Sequence, residues 1–506
     1  MKALLLAILS GLLLTAGFPK PEMYYLAWVA LVPLLLALRG KTGKQALLLG
    51  YLCGLVHFFT VLFWIRYAVH HYGGLPDVLA ILVHFLLCLI LAPYPAIFAL
   101  IAWKWQKSPF LWVFGLPFVW VAVELLRTYT PFSGFPWASI GYSQTPLNML
   151  IQAADITGVY GISWLVILGN TVIAGLFLNY CRRVGIPVLV CCIVAALIYG
   201  SVRRDEVRSL QDMAAPLTVS VIQGNIEQSE KWDPAIVGET LKRYSQYSLE
   251  AVKADPSTDI LFWPESAMPF FYGIDEKPTS ELNAVIKTVG KPVLFGSDGI
   301  TRIEGKARLL NRAYLVDGDA VIKGAYAKQH LVPFGEYVPF SRILFFVQQL
   351  VTGDVEFVPG TSPGPVYLDD RPLGVLICYE VIFPGISRET VRRGSEVLMN
   401  MTNDAWYGDT GGPYQHFEMA RWRAIEFRVP LVRSANTGIS AVFDATGSKL
   451  GWLGLNSGGF LTRTIHPMPS SSFYMRFGDV FAWLSILITF CGLIYVSVYL
   501  NRERRN

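Results

Sequence analysis

Charge is spread so unevenly along this chain that one solvent cannot account for it. Of 42 Lys and Arg and 37 Asp and Glu residues, only 15 fall within residues 1–200, and the other 64 fall within 201–506. The second share, about one residue in five, is ordinary for a water-facing domain, and the first is far below it. Residues 1–200 are instead dominated by apolar runs matched to a hydrocarbon layer about 30 Å thick. With one more near the end of the chain, eight runs read as candidate spans: 3–18, 23–38, 45–65, 75–102, 110–126, 160–180, 184–201 and 478–500. A hydrophobic share of 53% excludes disorder, and the first 200 residues exclude a purely soluble enzyme. The net charge of +5 is small and dispersed, so no nucleic acid is expected as a partner.

Orientation follows from the basic residues in the short loops. Lys2, Arg39, Lys41, Lys44, Lys104, Lys107, Arg182, Arg183, Arg502, Arg504 and Arg505 lie on one side of the expected spans, and only Lys20, Arg66 and Arg127 lie on the other. The basic side is the cytoplasmic one. Both termini then face the cytoplasm and the large charged region lies outside. The expected division is 1–201 as a transmembrane helical domain, 202–477 as an extracytoplasmic domain, and 478–506 as a last span with a short tail. Lys2 ahead of a short apolar run also fits a signal peptide, although Leu14-Thr15-Ala16-Gly17-Phe18 offers no clear small-x-small cleavage site. Glu124 and Arg127, three residues apart near the outer end of a span, read either as a pair on one helix face or as interfacial anchors. The aromatic loop 129–137 reads either as an interfacial belt or as a lipid-facing lip.

From about residue 217 short β-rich runs alternate with amphipathic helices. Strands are predicted at Leu217–Gln223, Asp259–Trp263, Pro292–Ser297, Ala313–Asp317, Leu373–Cys378, Glu396–Met401, Leu431–Ser434 and Ile439–Asp444. Helices are predicted at 235–253, 279–289, 384–393 and 414–427, the last with Phe417, Ala420, Ala424 and Phe427 on one face. This order implies an α/β layered fold.

Three positions at strand ends carry reactive chemistry. Glu265 follows Leu261-Phe262-Trp263-Pro264, Lys328 precedes His330-Leu331-Val332-Pro333-Phe334-Gly335-Glu336, and Cys378 closes Gly374-Val375-Leu376-Ile377. Cys378 is the sole cysteine between 193 and 490, so it has no disulfide partner there and no zinc spacing. Taken singly, each residue has an ordinary explanation: a solvated loop carboxylate, a surface lysine, a core thiol. Together they match what acyl transfer requires: a nucleophile, a base to deprotonate it, and a cation beside the developing oxyanion. His330 and His416 invite a Cys–His dyad, but a lone histidine is more often structural, and Glu and Lys already fill the base and cation roles.

The series Trp263-Pro264-Glu265-Ser266, Lys328…Glu336 and Cys378-Tyr379-Glu380 resembles the Glu–Lys–Cys signature of the nitrilase superfamily, whose members fold as an αββα sandwich. With spans on both sides of such a domain, the whole chain resembles the bacterial apolipoprotein N-acyltransferase family. Gln223-Gly224-Asn225, Lys231-Trp232-Asp233-Pro234 and Asn403-Asp404-Ala405-Trp406-Tyr407-Gly408 support the resemblance.

That resemblance implies an enzyme of the inner membrane with a periplasmic catalytic domain. Its acyl donor is a phospholipid, phosphatidylethanolamine in this family, and its acceptor is the α-amine of a diacylglyceryl-modified apolipoprotein. It implies Glu265 as base, Cys378 as nucleophile, and Lys328 with the Tyr379 N–H as oxyanion partners, working through a thioester with no metal and no diffusible cofactor. Glu336, Tyr379, Glu380, Trp232 and Asn403 are carried over as supporting or substrate-binding residues. Two rivals compete. A membrane-tethered amidase or nitrilase uses the same residues with water as acceptor. A transporter with an outer sensor domain predicts ionisable residues at mid-membrane, and the runs hold almost none.

Overall fold

The computed structural model describes residues 1–227, 237–338, 356–362 and 364–503. Among these, six helices are long and apolar enough to cross a membrane: Gly43–Val61, Asp77–Lys104, Leu111–Tyr129, Val159–Leu178, Arg182–Asp212 and Val480–Val498. Lys2–Ala16 and Tyr24–Ala37 are shorter apolar helices, so the eight runs appear as six long helices and two short ones. Pro93 and Pro95 lack the N–H that continues a helix, and Asp77–Lys104 accordingly divides into Asp77–Leu91 and Pro93–Lys104. Arg182–Asp212 has 31 residues, about 46 Å of helix. It outruns its apolar stretch and carries Arg203, Arg204, Asp205 and Glu206 beyond it. Small residues let the helices approach closely. A Cβ on Gly50 would lie 2.5 Å from Ala99 Cβ, which fixes that crossing.

The charged region holds twelve described strands in two six-stranded sheets. The first sheet has β1 (Leu217–Gln223), β2 (Ile260–Phe262), β3 (Val293–Ile303), β4 (Lys306–Val316), β5 (Ile322–Ala327) and, far along the chain, β12 (Gly459–Ile465). The second has β6 (Val366–Leu368), β7 (Arg371–Ile377), β8 (Val397–Thr402), β9 (Leu431–Ala435), β10 (Ser440–Phe443) and β11 (Lys449–Leu453). Their orders are β12-β1-β2-β3-β4-β5 and β11-β10-β9-β8-β7-β6. Each has a parallel centre, β1-β2-β3 and β7-β8-β9, flanked by antiparallel strands. Val219, Val221, Phe262 and Leu315 meet Val375, Ile377, Met399 and Val432 in the core between the sheets. Helices Val237–Ala254 and Glu276–Val289 cover the outer face of the first sheet. Pro384–Arg392 and Gly412–Phe427 cover the second. This is the expected αββα sandwich.

All eight predicted strands are present. The remaining four, β5, β6, β11 and β12, are the four sheet edges. An edge strand has one neighbour and keeps polar or small residues on its exposed side, as in Ile322-Lys323-Gly324-Ala325 and Lys449-Leu450-Gly451, so no continuous apolar run marks it.

The helix Gly412–Phe427 joins the two halves. Its apolar face packs on the second sheet, yet its polar residues are buried as well, because the membrane helices cover its other side. Gln415 donates to the carbonyls of Pro19 and Val61, at 3.0 and 3.2 Å. Arg423 donates to the Tyr142 hydroxyl (2.6 Å) and Trp422 to Thr145 Oγ1 (2.8 Å). Just beyond the helix, Arg428 reaches Asp155 at 2.9 Å, and Arg203 reaches the same carboxylate at 2.8 Å. One hydrophobic core therefore runs from Phe58, Trp64 and Trp137 to Leu376, Leu398 and Leu431 of the second sheet.

Candidate active site

Glu265, Lys328, Cys378 and Asn403 each follow the last residue of a strand within three positions: β2, β5, β7 and β8. The two sheets face each other, so these four ends converge at one end of the sandwich. Loops after the carboxyl ends of parallel strands are where α/β folds build ligand sites. The close fit there depends on Gly296 of β3, where a Cβ would lie 2.4 Å from Ser266 N and 2.8 Å from Glu265 Cα.

Glu265 is 7% exposed and bridges the sheets. Its Oε1 accepts from Asn311 Nδ2 (2.8 Å) and lies 3.5 Å from Lys328 Nζ, and its Oε2 accepts from the backbone N–H of Asn403 (2.9 Å). Lys328 is 1% exposed and donates to Glu336 Oε1 at 2.9 Å. Glu336 also accepts from Asn311 Nδ2 (3.1 Å) and from the Val332 N–H (2.7 Å), which closes the loop that carries it. Burial disfavours the lysine's charge, but Glu336 and Glu265 outweigh burial and hold the ammonium above the usual lysine range. A fixed, permanently charged cation results.

Cys378 is 6% exposed and opens the single-turn 3₁₀ helix Cys378–Ile382 with φ +50°, a left-handed conformation costly for a residue with a Cβ. Burial and then the Glu265 charge push its thiol up, against the opposing pull of Lys328 and a hydrogen bond with Thr402. Burial thus favours the thiol over the thiolate, within electrostatic reach of Glu265 and Lys328.

Glu380 straps this cluster together. It is fully buried, and its Oε1 accepts from the Tyr326 hydroxyl (2.9 Å) and from the N–H groups of Gln329 (2.7 Å) and His330 (3.2 Å). Its Oε2 accepts from the Ile377 N–H at 2.7 Å. One carboxylate thus ties the Lys328 loop to the Cys378 turn, and burial pushes its own value up to about 6. Tyr379 is buried and packs edge-on to Phe383 at 5.0 Å. Asn403 Oδ1 accepts from Asn436 Nδ2 at 3.2 Å. Trp232 and its neighbours Lys231, Asp233 and Pro234 lie outside the described residues.

Neither histidine forms the dyad that the sequence invited. His330 packs its ring on Phe383, 4.0 Å between centroids, and His416 Nε2 meets the backbone carbonyl of Cys378 at 3.3 Å. The loop 129–137 is buried at one end and exposed at the other. Trp137 is fully buried and stacks on His416 at 5.7 Å, whereas Phe132 meets the exposed Phe334 edge-on at 5.8 Å beside the Lys328 loop. Glu124 and Arg127 are buried: Glu124 Oε1 accepts from the Ile140 N–H (2.8 Å) just beyond this loop, and Arg127 donates to the Phe135 carbonyl within it (2.9 Å). Asn311, Arg433 and Asn436 were not anticipated. A polar side chain interrupting the apolar strand Leu309-Leu310-Asn311 was the available signal for the first.

Two family models match the chain: the apolipoprotein N-acyltransferase N-terminal domain over residues 10–172 and the carbon–nitrogen hydrolase domain over residues 218–468. The apolipoprotein N-acyltransferase of Geobacter metallireducens is 39% identical over 489 residues, covering 95% of this chain and 93% of that protein. The Methylococcus capsulatus protein of the same name is 32% identical, covering 100% and 97%. Among solved structures, the carbon–nitrogen hydrolase from Helicobacter pylori G27 aligns with 49% of this chain and 88% of its own at 17% identity, TM-score 0.39. Likeness of this extent, running through the membrane helices and the sandwich alike, makes the chain a member of the apolipoprotein N-acyltransferase family.

Proposed function

We propose that this protein transfers a fatty acyl chain from a membrane phospholipid, with phosphatidylethanolamine as donor, to the α-amine of the N-terminal diacylglyceryl-cysteine of apolipoproteins. The observation that carries the proposal is the buried Cys378 thiol within electrostatic reach of Glu265 and Lys328, themselves 3.5 Å apart, on a domain that shares its core with membrane helices.

In the first half-reaction Glu265 takes the thiol proton as sulfur attacks the ester carbonyl carbon. Negative charge moves to the carbonyl oxygen, where Lys328 and the Tyr379 N–H receive it. The tetrahedral intermediate collapses, the ester C–O bond breaks, and Glu265 returns the proton to the departing lysophospholipid oxygen. In the second half-reaction the acceptor amine attacks the thioester, Glu265 takes its proton, and the C–S bond breaks to regenerate the thiol. Glu336 holds Lys328 in place through both. The chain crosses the inner membrane eight times with both termini in the cytoplasm. Residues 1–201, 202–477 and 478–506 form the membrane domain, the periplasmic catalytic domain and the final span with its tail. This places the nucleophile beside the outer leaflet in which both lipid-anchored substrates reside, and the loop 129–137 with Phe334 forms an apolar lip that limits water.

The test supplies the purified protein with phospholipid and a diacylglyceryl lipopeptide carrying a free α-amine. Triacylated lipopeptide is the expected product, and an N-acetylated lipopeptide should accept nothing. Free fatty acid as the main product with the amine present would place the protein with amidase-type hydrolases instead.

A further inference from the structure

Behind the nucleophile lies a second buried polar cluster that the two half-reactions above do not use. Asp404, His416 and Arg433 are all fully or almost fully buried. Arg433 Nη2 donates to Asp404 Oδ2 at 2.7 Å and lies 3.1 Å from His416 Nδ1, and its Nη1 donates to Asn400 Oδ1. Asp404 Oδ1 accepts from Thr402 Oγ1 (2.9 Å) and lies 3.0 Å from His416 Nδ1. The ring is further seated between Trp137, stacked at 5.7 Å, and Tyr407, edge-on at 5.8 Å. Three elements of the outer domain and one loop of the membrane half thus fix a single imidazole.

The fixed ring has one outward contact, His416 Nε2 on the Cys378 carbonyl oxygen at 3.3 Å. A carbonyl only accepts, so Nε2 carries the proton, whether Nδ1 accepts from Arg433 or donates to Asp404. The Cys378 carbonyl and the Tyr379 N–H belong to one planar peptide unit and point in opposite directions. Whatever holds that carbonyl sets the direction of that N–H. The hold matters here because Cys378 sits at φ +50°, a conformation its own backbone does not favour.

We infer that His416, seated by Asp404 and Arg433, is a positioning residue that orients the Cys378–Tyr379 peptide so that the Tyr379 N–H meets the oxyanion. This rests on the acyl-transfer reading and adds to it a residue that touches neither substrate nor thiol. Seating the ring against Trp137 also makes that orientation depend on contact with the membrane half.

The inference separates acylation of Cys378 from its alkylation. Acylation by phospholipid passes through an oxyanion, whereas alkylation by iodoacetamide is a displacement at carbon that forms none. Both are followed by mass on the Cys378 peptide of the full-length protein in detergent. In His416→Leu, acylation at saturating phospholipid should fall about 100-fold, as expected when one oxyanion donor is lost. The phospholipid KM and the alkylation rate should stay within about threefold of native. His416→Gln, which presents an N–H at similar reach, should recover acylation to within about tenfold. Acylation within threefold of native in His416→Leu would overturn the inference. So would acylation and alkylation falling together in both variants, since that marks damage to the thiol or the fold. If the native protein itself takes no acyl group on Cys378, the acyl-transfer reading fails, and this inference fails with it.

Discussion

The helix Arg182–Asp212 and the strand β1 are both apolar and sit at opposite extremes of burial. In the helix only 11% of the most apolar window is buried, and Val184, Val190 and Ile198 face outward. In β1 all seven residues are buried. Other membrane helices are buried further, up to 78% in Leu111–Tyr129. The membrane helices expose many aliphatic side chains while burying others and keep Asn170, Thr171, Glu124 and Arg127 in, whereas the sandwich keeps aliphatic side chains between two sheets. Apolar content therefore does not locate the core; the surrounding solvent does. Buried charge has a different meaning in each place. Along the seam Asp155 takes two arginines and ties the halves together, whereas in the sandwich Lys328 pairs with Glu265 and Glu336 at the strand ends that also carry Cys378.

Five substitutions probe this division, beginning with the largest effect. Cys378→Ala and Glu265→Gln should each reduce lipopeptide acylation by about 1,000-fold or more, as losses of nucleophile and base do. Cys378→Ala should leave the melting midpoint within a few degrees of native, whereas Glu265→Gln sets an amide donor against Asn311 Nδ2 or the Asn403 N–H and should also cost about 1–3 kcal/mol. Asp155→Ala should act in the opposite way. It leaves Arg203 and Arg428 without their shared carboxylate, and removing one partner of a buried ion pair costs about 3–5 kcal/mol, read as early thermal unfolding in detergent.

Glu380→Gln comes next. Its amide would set a donor against one of the donors that Glu380 now satisfies, costing about 1–3 kcal/mol. Its pH dependence has a definite sign. Burial raises the folded-state value from 4.5 to about 6, so the folded state holds the proton more tightly than the unfolded one. The stability this contributes is complete below pH 4.5 and is lost as pH rises through about 6. A melting curve across that window should slope downward in the native protein and flatten in Glu380→Gln. The smallest effect belongs to the exposed Lys20–Asp409 pair, which also spans the two halves at 2.8 Å; Lys20→Ala should cost less than about 1 kcal/mol.

Much of this organisation was readable in the chain itself. Charge distribution separated the halves, since a bilayer-facing helix has no place for a charge on its outer face. Strands at the centres of the sheets showed as apolar runs because both faces are covered, and Glu265, Lys328 and Cys378 stood out at strand ends. The four edge strands did not show, because exposure gives them mixed composition. Nor did the cluster behind Cys378. Asn400, Asp404, His416 and Arg433 are scattered over 34 residues in two strands, a turn and a helix, and only the pairing of β7, β8 and β9 gathers them. The helix Gly412–Phe427 misled in a related way. Its face of Phe417, Ala420, Ala424 and Phe427 indicated one buried side, and its burial on both sides depends on the membrane half.

The central claim is that the sandwich domain carries an acyl group on Cys378. Intact-protein and peptide mass spectrometry after incubation with phospholipid alone, with no amine acceptor, tests it directly. The account predicts one thioester-linked fatty acyl group on Cys378, removed by hydroxylamine and absent from Cys378→Ala and Glu265→Gln. A protein that stays unmodified while the same preparation acylates lipopeptide on adding both substrates would contradict it.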